Sequence, residues 1–125
     1  MHLDLSTRLL AERAVVSVGG EVDLETASQL GEHALDALRD VSPHLVLDIT
    51  DVGFMDSTGL KVMVTIARRA ELAGGSFAVV GASRPVLRIL SLTGLDQVFP
   101  LHDSIEDLGA VQAAQPSQPL EVPEA

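Results

Sequence analysis

The sequence predicts a single α/β domain with a mixed sheet of four to five strands and about four helices. Apolar or alternating segments of five to eight residues, typical of strands, take turns along the chain with segments whose apolar residues recur at helical spacing. The chain has 125 residues, enough for one hydrophobic core and too few for two. Strands that alternate with helices favour right-handed crossovers and therefore a partly parallel sheet.

The first half of the chain contains three predicted strands and one helix. HLDLSTRL and RAVVSVGGEV have the pattern of paired strands. A helix is expected near residues 25–40, where Thr26 and Gln29 form a capping-box pattern and Asp23 is the alternative cap. The third strand, LVLDI, is almost continuously apolar, which indicates burial on both faces of the sheet.

The second half adds three helices and two strands. Helices are predicted near residues 57–73, 84–93 and 103–111, the first ending at Gly74-Gly75 and the second starting at Pro85. SFAVVG between the first two is read as a strand, and VFPL as a short edge strand. The folded domain is therefore expected to span residues 1–111. The remainder, 112–125, has three prolines and no periodicity, so a disordered tail is predicted.

Composition excludes several classes of function. The absence of cysteine rules out disulfides and thiolate chemistry. A net charge of -10 and 2% aromatic residues argue against binding to nucleic acid, which attracts basic and aromatic side chains. The N-terminus has no signal-peptide pattern, and no apolar run reaches the roughly 20 residues that span a bilayer. A cytoplasmic protein without membrane insertion is expected.

Positive charge is concentrated in one part of this acidic chain. Between residues 57 and 95 the only acidic residue is Glu71, whereas five residues are basic: Lys61, Arg68, Arg69, Arg84 and Arg88. The molecule should therefore have two electrostatic faces. The basic residues are either ordinary solvated helix positions or a docking surface.

No pattern of catalytic or metal-binding residues is present. The four histidines are scattered and do not have the spacing of metal ligands. The sequence also lacks the G-x-S-x-G elbow of a serine hydrolase. There is no G-x-x-x-x-G-K-[ST] loop for nucleotide phosphates. A receiver domain could use Asp48 or Asp56, but the early acidic pair and late lysine that it needs are missing. We expect a protein that is not an enzyme and holds no metal or cofactor.

The junction Asp56-Ser57-Thr58-Gly59 is the candidate functional site. It follows the third strand and starts a helix, and in parallel sheets function gathers at the carboxyl ends of strands. A serine at this place can cap the helix, since its oxygen can accept an N–H group of the first turn. The same N–H groups can also receive a phosphate. From these residues alone Ser57 is predicted to be a helix cap, and a phosphate-accepting switch is the alternative.

Three segments resemble one known family, the sulfate transporter and anti-sigma factor antagonist (STAS) domain. They are GEVDLETA at residues 20–27, LVLDITDVGFMDSTGLKVM at 45–63 and GGSFAVVGASRPVLRILSLTGLDQVFPL at 74–101. The resemblance covers almost all of residues 3–111 and is closest to the bacterial anti-sigma factor antagonists. In that branch the first serine of an Asp-Ser-[Ser/Thr]-Gly motif is phosphorylated.

The resemblance implies a switch between partners. The unphosphorylated protein would bind an anti-sigma factor that is also a serine kinase and so release a sigma factor; phosphorylation of Ser57 would end this complex, and a serine phosphatase would restore it. Asp56, Thr58 and Gly59 would support the phosphorylation site, Thr58 being the weaker acceptor. Gly59 would keep the site open to the kinase, or it is simply a tolerated glycine of the first turn.

The resemblance also implies a surface that binds the partner. Glu21, Asp23 and Leu60 would contribute to this surface, although Asp23 has the alternative reading of a helix cap. A second function stays open within the same family. The domain could be a scaffold or subunit of a stress-sensing or lipid-transport complex, in which the fold is kept and no switch operates.

Overall fold

In the computed structural model, which describes residues 3–108, the chain forms a mixed five-stranded sheet with helices packed on it, as the sequence predicts. The strands are β1 (Asp4–Leu10), β2 (Arg13–Val22), β3 (His44–Met55), β4 (Ser76–Val80) and β5 (Leu101–His102). The helices are α1 (Ala27–Asp40), α2 (Ser57–Leu72) and α3 (Arg84–Thr93). A 3-10 turn at Leu95–Gln97 follows α3, and residues 105–108 are helical.

The strands lie in the sheet in the order in which they occur in the chain. β1 and β2 pair antiparallel, joined by Ala11 and Glu12, whose φ angles of 51° and 68° suit a tight hairpin. The remaining neighbours, β2–β3, β3–β4 and β4–β5, are parallel. The carboxyl ends of the parallel strands therefore lie along one edge of the sheet.

The main core lies between the sheet and the helices. Leu30 of α1, Leu47 of β3, and Met63 and Ile66 of α2 are all completely buried there. Only two aromatic rings take part: Phe77 and Phe99, which meet edge to face with 5.2 Å between ring centres. Aliphatic side chains thus supply most of the buried surface, as the low aromatic content requires.

A smaller core covers the opposite face of the sheet. Val46 of β3 packs there with Val15, Ala78 and Val80, and Ile105 and Leu108 of the last helical segment cover them. Since Leu47 faces the main core and Val46 the smaller one, β3 is buried on both faces, which confirms the sequence-based expectation.

The start of α1 differs from the capping-box prediction. Thr26 makes no side-chain cap bond to the helix. Instead, Oδ1 of Asp23 accepts hydrogen bonds from the backbone N–H groups of Glu25 and Thr26, at 3.0 and 3.1 Å. Asp23, the alternative, thus holds the turn that leads into α1, but its side chain accepts from Glu25 and Thr26 and not from the N–H groups of the helix itself.

The C-terminal elements are confirmed in part. The VFPL segment was predicted to be a strand, but of its residues only Leu101 lies in one, β5, together with His102. Its first residue, Val98, instead ends the 3-10 turn. The last predicted helix is present at 105–108. The rest of that helix, the domain end at residue 111 and the tail at 112–125 lie outside the described residues.

Candidate functional site

Asp56 caps α2. It has an extended backbone, with φ -102° and ψ -171°, and its Oδ1 accepts hydrogen bonds from the N–H groups of Thr58 at 2.9 Å and Gly59 at 3.2 Å. The prediction that Ser57 is the cap is therefore wrong. A cap must precede the first helical residue so that its side chain can reach over the open N–H groups. Ser57 is already the first residue of the helix.

The Ser57 side chain is exposed at the start of α2. Within residues 3–108 its hydroxyl makes no hydrogen bond to another residue, so no bond inside the described chain competes with a chemical reaction at this oxygen. Thr58 is half-buried. The structure thus distinguishes the two adjacent hydroxyls by access, in favour of Ser57.

Gly59 is buried where the first turn of α2 touches the end of β2. A Cβ atom at this position would lie 2.6 Å from Cγ of Met55 and 2.8 Å from Cγ1 of Val22, closer than carbon atoms can approach. Close packing therefore explains the glycine without any appeal to kinase access. Neither sequence-based reading included this packing, because the neighbour Val22 is distant in the chain.

The end of β2 lies beside the Asp-Ser-Thr-Gly junction. Glu21 pairs with Phe54 and Val22 with Met55, and the N–H group of Asp56 donates to the Val22 carbonyl at 3.1 Å. The register between β2 and β3 shifts just before Glu21, and such irregularities commonly re-aim side chains next to functional sites. The structure thereby brings the GEVD segment and the serine motif to one edge of the sheet.

The predicted partner-binding residues differ in their exposure at this edge. Glu21 is exposed, whereas Asp23 is half-buried and holds the α1 turn. Leu60 is only 6% exposed and belongs to the main core. Glu21 is thus open to solvent at this edge, whereas the carboxylate of Asp23 is engaged in the turn before α1 and Leu60 is largely buried.

Two exposed apolar residues at this edge were not predicted. Leu24 is 78% exposed and Phe54 is 47% exposed. The exposure of Leu24 could have been predicted from the sequence. It lies between Asp23 and Glu25 in a turn and belongs to no helical or strand pattern of apolar residues that would place it in the core. We call the exposed residues Glu21, Leu24, Phe54 and Ser57 the switch edge.

A metal site and a membrane-spanning helix find no support in the described part of the chain. No group of three or more histidine, aspartate or glutamate side chains within residues 3–108 is placed to hold a metal ion. Over the same residues, no helix has the length and apolar character needed to cross a bilayer.

Comparison with known proteins identifies the family. The model of the STAS domain matches residues 6–108. The chain therefore belongs to the STAS domain family, and the resemblance seen in the sequence is confirmed. The match covers the sheet from β1 to the last helical residue that the structure describes.

Similar proteins occur among bacterial regulators. The chain is 38% identical over 96 residues to the anti-sigma-F factor antagonist RsfB of Mycobacterium tuberculosis, covering 75% of this chain and 76% of that protein. It is 30% identical over 112 residues to the anti-sigma-B factor antagonist of Bacillus subtilis, covering 90% and 100%. A crystal structure of an anti-sigma factor antagonist from Mycobacterium paratuberculosis superposes with a TM-score of 0.79 at 34% identity, covering 88% and 94%.

Proposed function

We propose that this protein is an anti-sigma factor antagonist controlled by phosphorylation of Ser57. Its unphosphorylated form binds an anti-sigma factor that is also a serine kinase, and the sigma factor is released. A serine/threonine phosphatase returns the phosphorylated form to the binding state. The protein is then a substrate and a binding partner in this cycle, not a catalyst. The names of the relatives support the first step.

The observation that carries this proposal is the exposed Ser57 hydroxyl within the switch edge. Leu24 and Phe54 offer apolar area that a partner can bury, and Glu21 adds a charged contact. A kinase must reach the serine from the same side as a bound partner. One protein that is both kinase and anti-sigma factor satisfies this geometry.

Phosphorylation would make the switch edge unsuitable for tight binding. A phosphate adds about -1.5 to -2 charges at neutral pH. The Thr58 and Gly59 N–H groups already donate to Asp56, so the phosphate would find them occupied and a carboxylate nearby. In water this charge is tolerated, but burying it against a partner without a matching cation is costly. The complex should therefore dissociate while the fold remains.

The test is titration calorimetry with the anti-sigma factor kinase, followed by incubation with ATP. Ser57→Ala should bind as tightly as the wild type and stay bound when ATP is added, because no phosphate can form. Ser57→Asp should bind about 1 to 3 kcal/mol more weakly, as a charge is buried on binding. Thr58→Ala is the matched control and should bind and be released like the wild type.

Mass spectrometry of the ATP-treated wild type should locate the phosphate on Ser57. The proposal would be contradicted by two results obtained together. The first is phosphate on Thr58 or on no residue, and the second is Ser57→Asp binding as tightly as the wild type. Ser57 would then be only the first residue of a helix.

A further inference from the structure

An open groove runs along α2 on the side away from α1. Its volume is about 680 Å³, and its second wall is formed by Thr93 and Leu95 at the end of α3. The α2 residues that line it extend from Ser57 to Leu72. These are 15 residues apart, so the groove is roughly 22 Å long at 1.5 Å per residue. That length matches about four turns of a second helix.

The groove has an apolar floor that extends onto the surface. Leu60 is 6% exposed and forms the deep part, and the half-buried Val64 and Leu95 continue it. Leu72, at the far end, is 78% exposed although it belongs to α2. An apolar strip of this kind on a helix that already has its own core face is a candidate binding surface.

Basic residues border the strip. Lys61, Arg68 and Arg69 line the groove, and none of its lining residues within 3–108 is acidic. In the part of the chain that the structure describes, ion pairs are made by Arg39 with Asp36 and Asp40, so the three groove cations have no carboxylate partner there. On a chain of net charge -10, the groove is therefore positive where the molecule as a whole is negative.

We propose that this groove binds an amphipathic helix with acidic side chains, presented by a partner protein. The apolar side of the helix would cover Leu60, Val64 and Leu72, and its carboxylates would pair with Arg68 and Arg69. A second copy of this chain is a poor occupant, because its net charge of -10 repels another copy. This inference rests on the proposed function in one respect: the partner is taken to be a protein that also contacts Ser57.

Ser57 links this groove to the switch. It lines the N-terminal end, and Lys61 lies four residues further, on the same face of α2. A phosphate on Ser57 would attract the Lys61 ammonium group and repel the carboxylates of a bound helix. Phosphorylation would therefore weaken binding in the groove as well as at the switch edge.

The test uses two designed peptides and the unmodified full-length protein. Both are 16-residue helices, a length chosen to match the roughly four turns that the groove can hold, with leucine at positions 1, 5, 8 and 12. One peptide carries glutamate at the flanking positions, and the other carries lysine there. Amide chemical shifts and calorimetry report the site and the affinity. The glutamate peptide should shift resonances of α2 and of Thr93 to Leu95, and it should bind at least about tenfold more tightly than the lysine peptide.

Charge reversal locates the contact. The double variant Arg68→Glu, Arg69→Glu should lose about tenfold or more in affinity for the glutamate peptide and gain affinity for the lysine peptide. Arg88→Glu is the control, because Arg88 is an exposed cation of α3 that does not line the groove. It should leave both affinities within about twofold of the wild type, since the exposed charge is screened by salt and does not line the groove.

Each other result would overturn the proposal. Equal binding of both peptides, no shifts in the groove, or no effect of the double variant would remove the acidic helix as the occupant. Shifts in the groove on addition of laurate but not of peptide would indicate a small amphiphile instead, and shifts on concentrating the protein alone would indicate self-association. Neither kinase nor anti-sigma factor is used, so a failure here is distinct from a failure of the Ser57 switch.

Discussion

Two of the junctions at which a strand leads into a helix, at the ends of β2 and β3, have an aspartate in the same role and differ in their hydroxyl. At the first, Oδ1 of Asp23 accepts the N–H groups two and three residues later; at the second, Oδ1 of Asp56 does the same. Thr26, three residues after Asp23, is 1% exposed, and its hydroxyl donates to the Glu21 carbonyl at 2.6 Å and accepts from the Asp23 N–H at 3.0 Å. Ser57 follows Asp56 and is exposed.

This difference separates a structural hydroxyl from one that is available for chemistry. Because the aspartate at each junction accepts the N–H groups two and three residues later, neither hydroxyl makes these bonds. After Asp23 the chain makes one more turn before α1 begins, and this turn buries Thr26. After Asp56 the helix starts at once, which leaves Ser57 at the surface.

Gly59→Ala should have the largest effect on stability, because the first turn of α2 packs closely against the end of β2 at this position. The added Cβ would overlap side chains of Met55 and Val22, and we expect a loss of about 2 to 3 kcal/mol in the free energy of unfolding. Urea denaturation measures it. Gly53→Ala is the matched control, since nothing lies within 4 Å of its added Cβ, and it should change stability by less than about 0.5 kcal/mol. Equal losses would show that close packing is not what selects the glycine.

Thr26→Val should cost about 1 to 2 kcal/mol, because a shape-conserving change leaves the partly buried Glu21 carbonyl and Asp23 N–H without this partner. Denaturation curves of Thr26→Ser provide the control, since serine keeps the hydroxyl and should lose less. If valine were tolerated without loss, the buried hydroxyl would not be what stabilises the first junction.

Asp56→Ala should cost about 1 kcal/mol, the usual value of a lost N-cap. Asp56→Asn keeps an oxygen that can accept the Thr58 and Gly59 N–H groups, so it should retain most of the stability. Thermal melts of both variants measure the difference. An alanine variant as stable as the wild type would mean that another group, such as the Ser57 hydroxyl, takes over the cap.

Ser57→Ala should have the smallest effect, less than about 0.5 kcal/mol, since the exposed hydroxyl is neither the cap nor part of the core. The same denaturation assay checks it beside Thr26→Val. A loss for Ser57→Ala as large as that for Thr26→Val would erase the distinction between the two junctions.

The order and type of the main elements followed from the sequence, because they depend on local patterns. The apolar period of α1, the continuous apolar run in β3 and the prolines and glycines around α3 act over a few residues, and the ends of α2 and α3 came within one residue of prediction. The Asp-Ser-Thr-Gly motif with its flanking segments likewise identified the family from sequence.

Tertiary structure decided the roles of individual residues at the site. The choice of Asp56 over Ser57 as cap depended on which residue adopts the extended conformation, and the need for Gly59 depended on contact with Val22, 37 positions earlier in the chain. The exposure of Leu24 and Phe54 and the groove beside α2 depend on where neighbouring elements end. Such features arise from contacts between distant segments, and a pattern of local periodicity carries no record of those contacts.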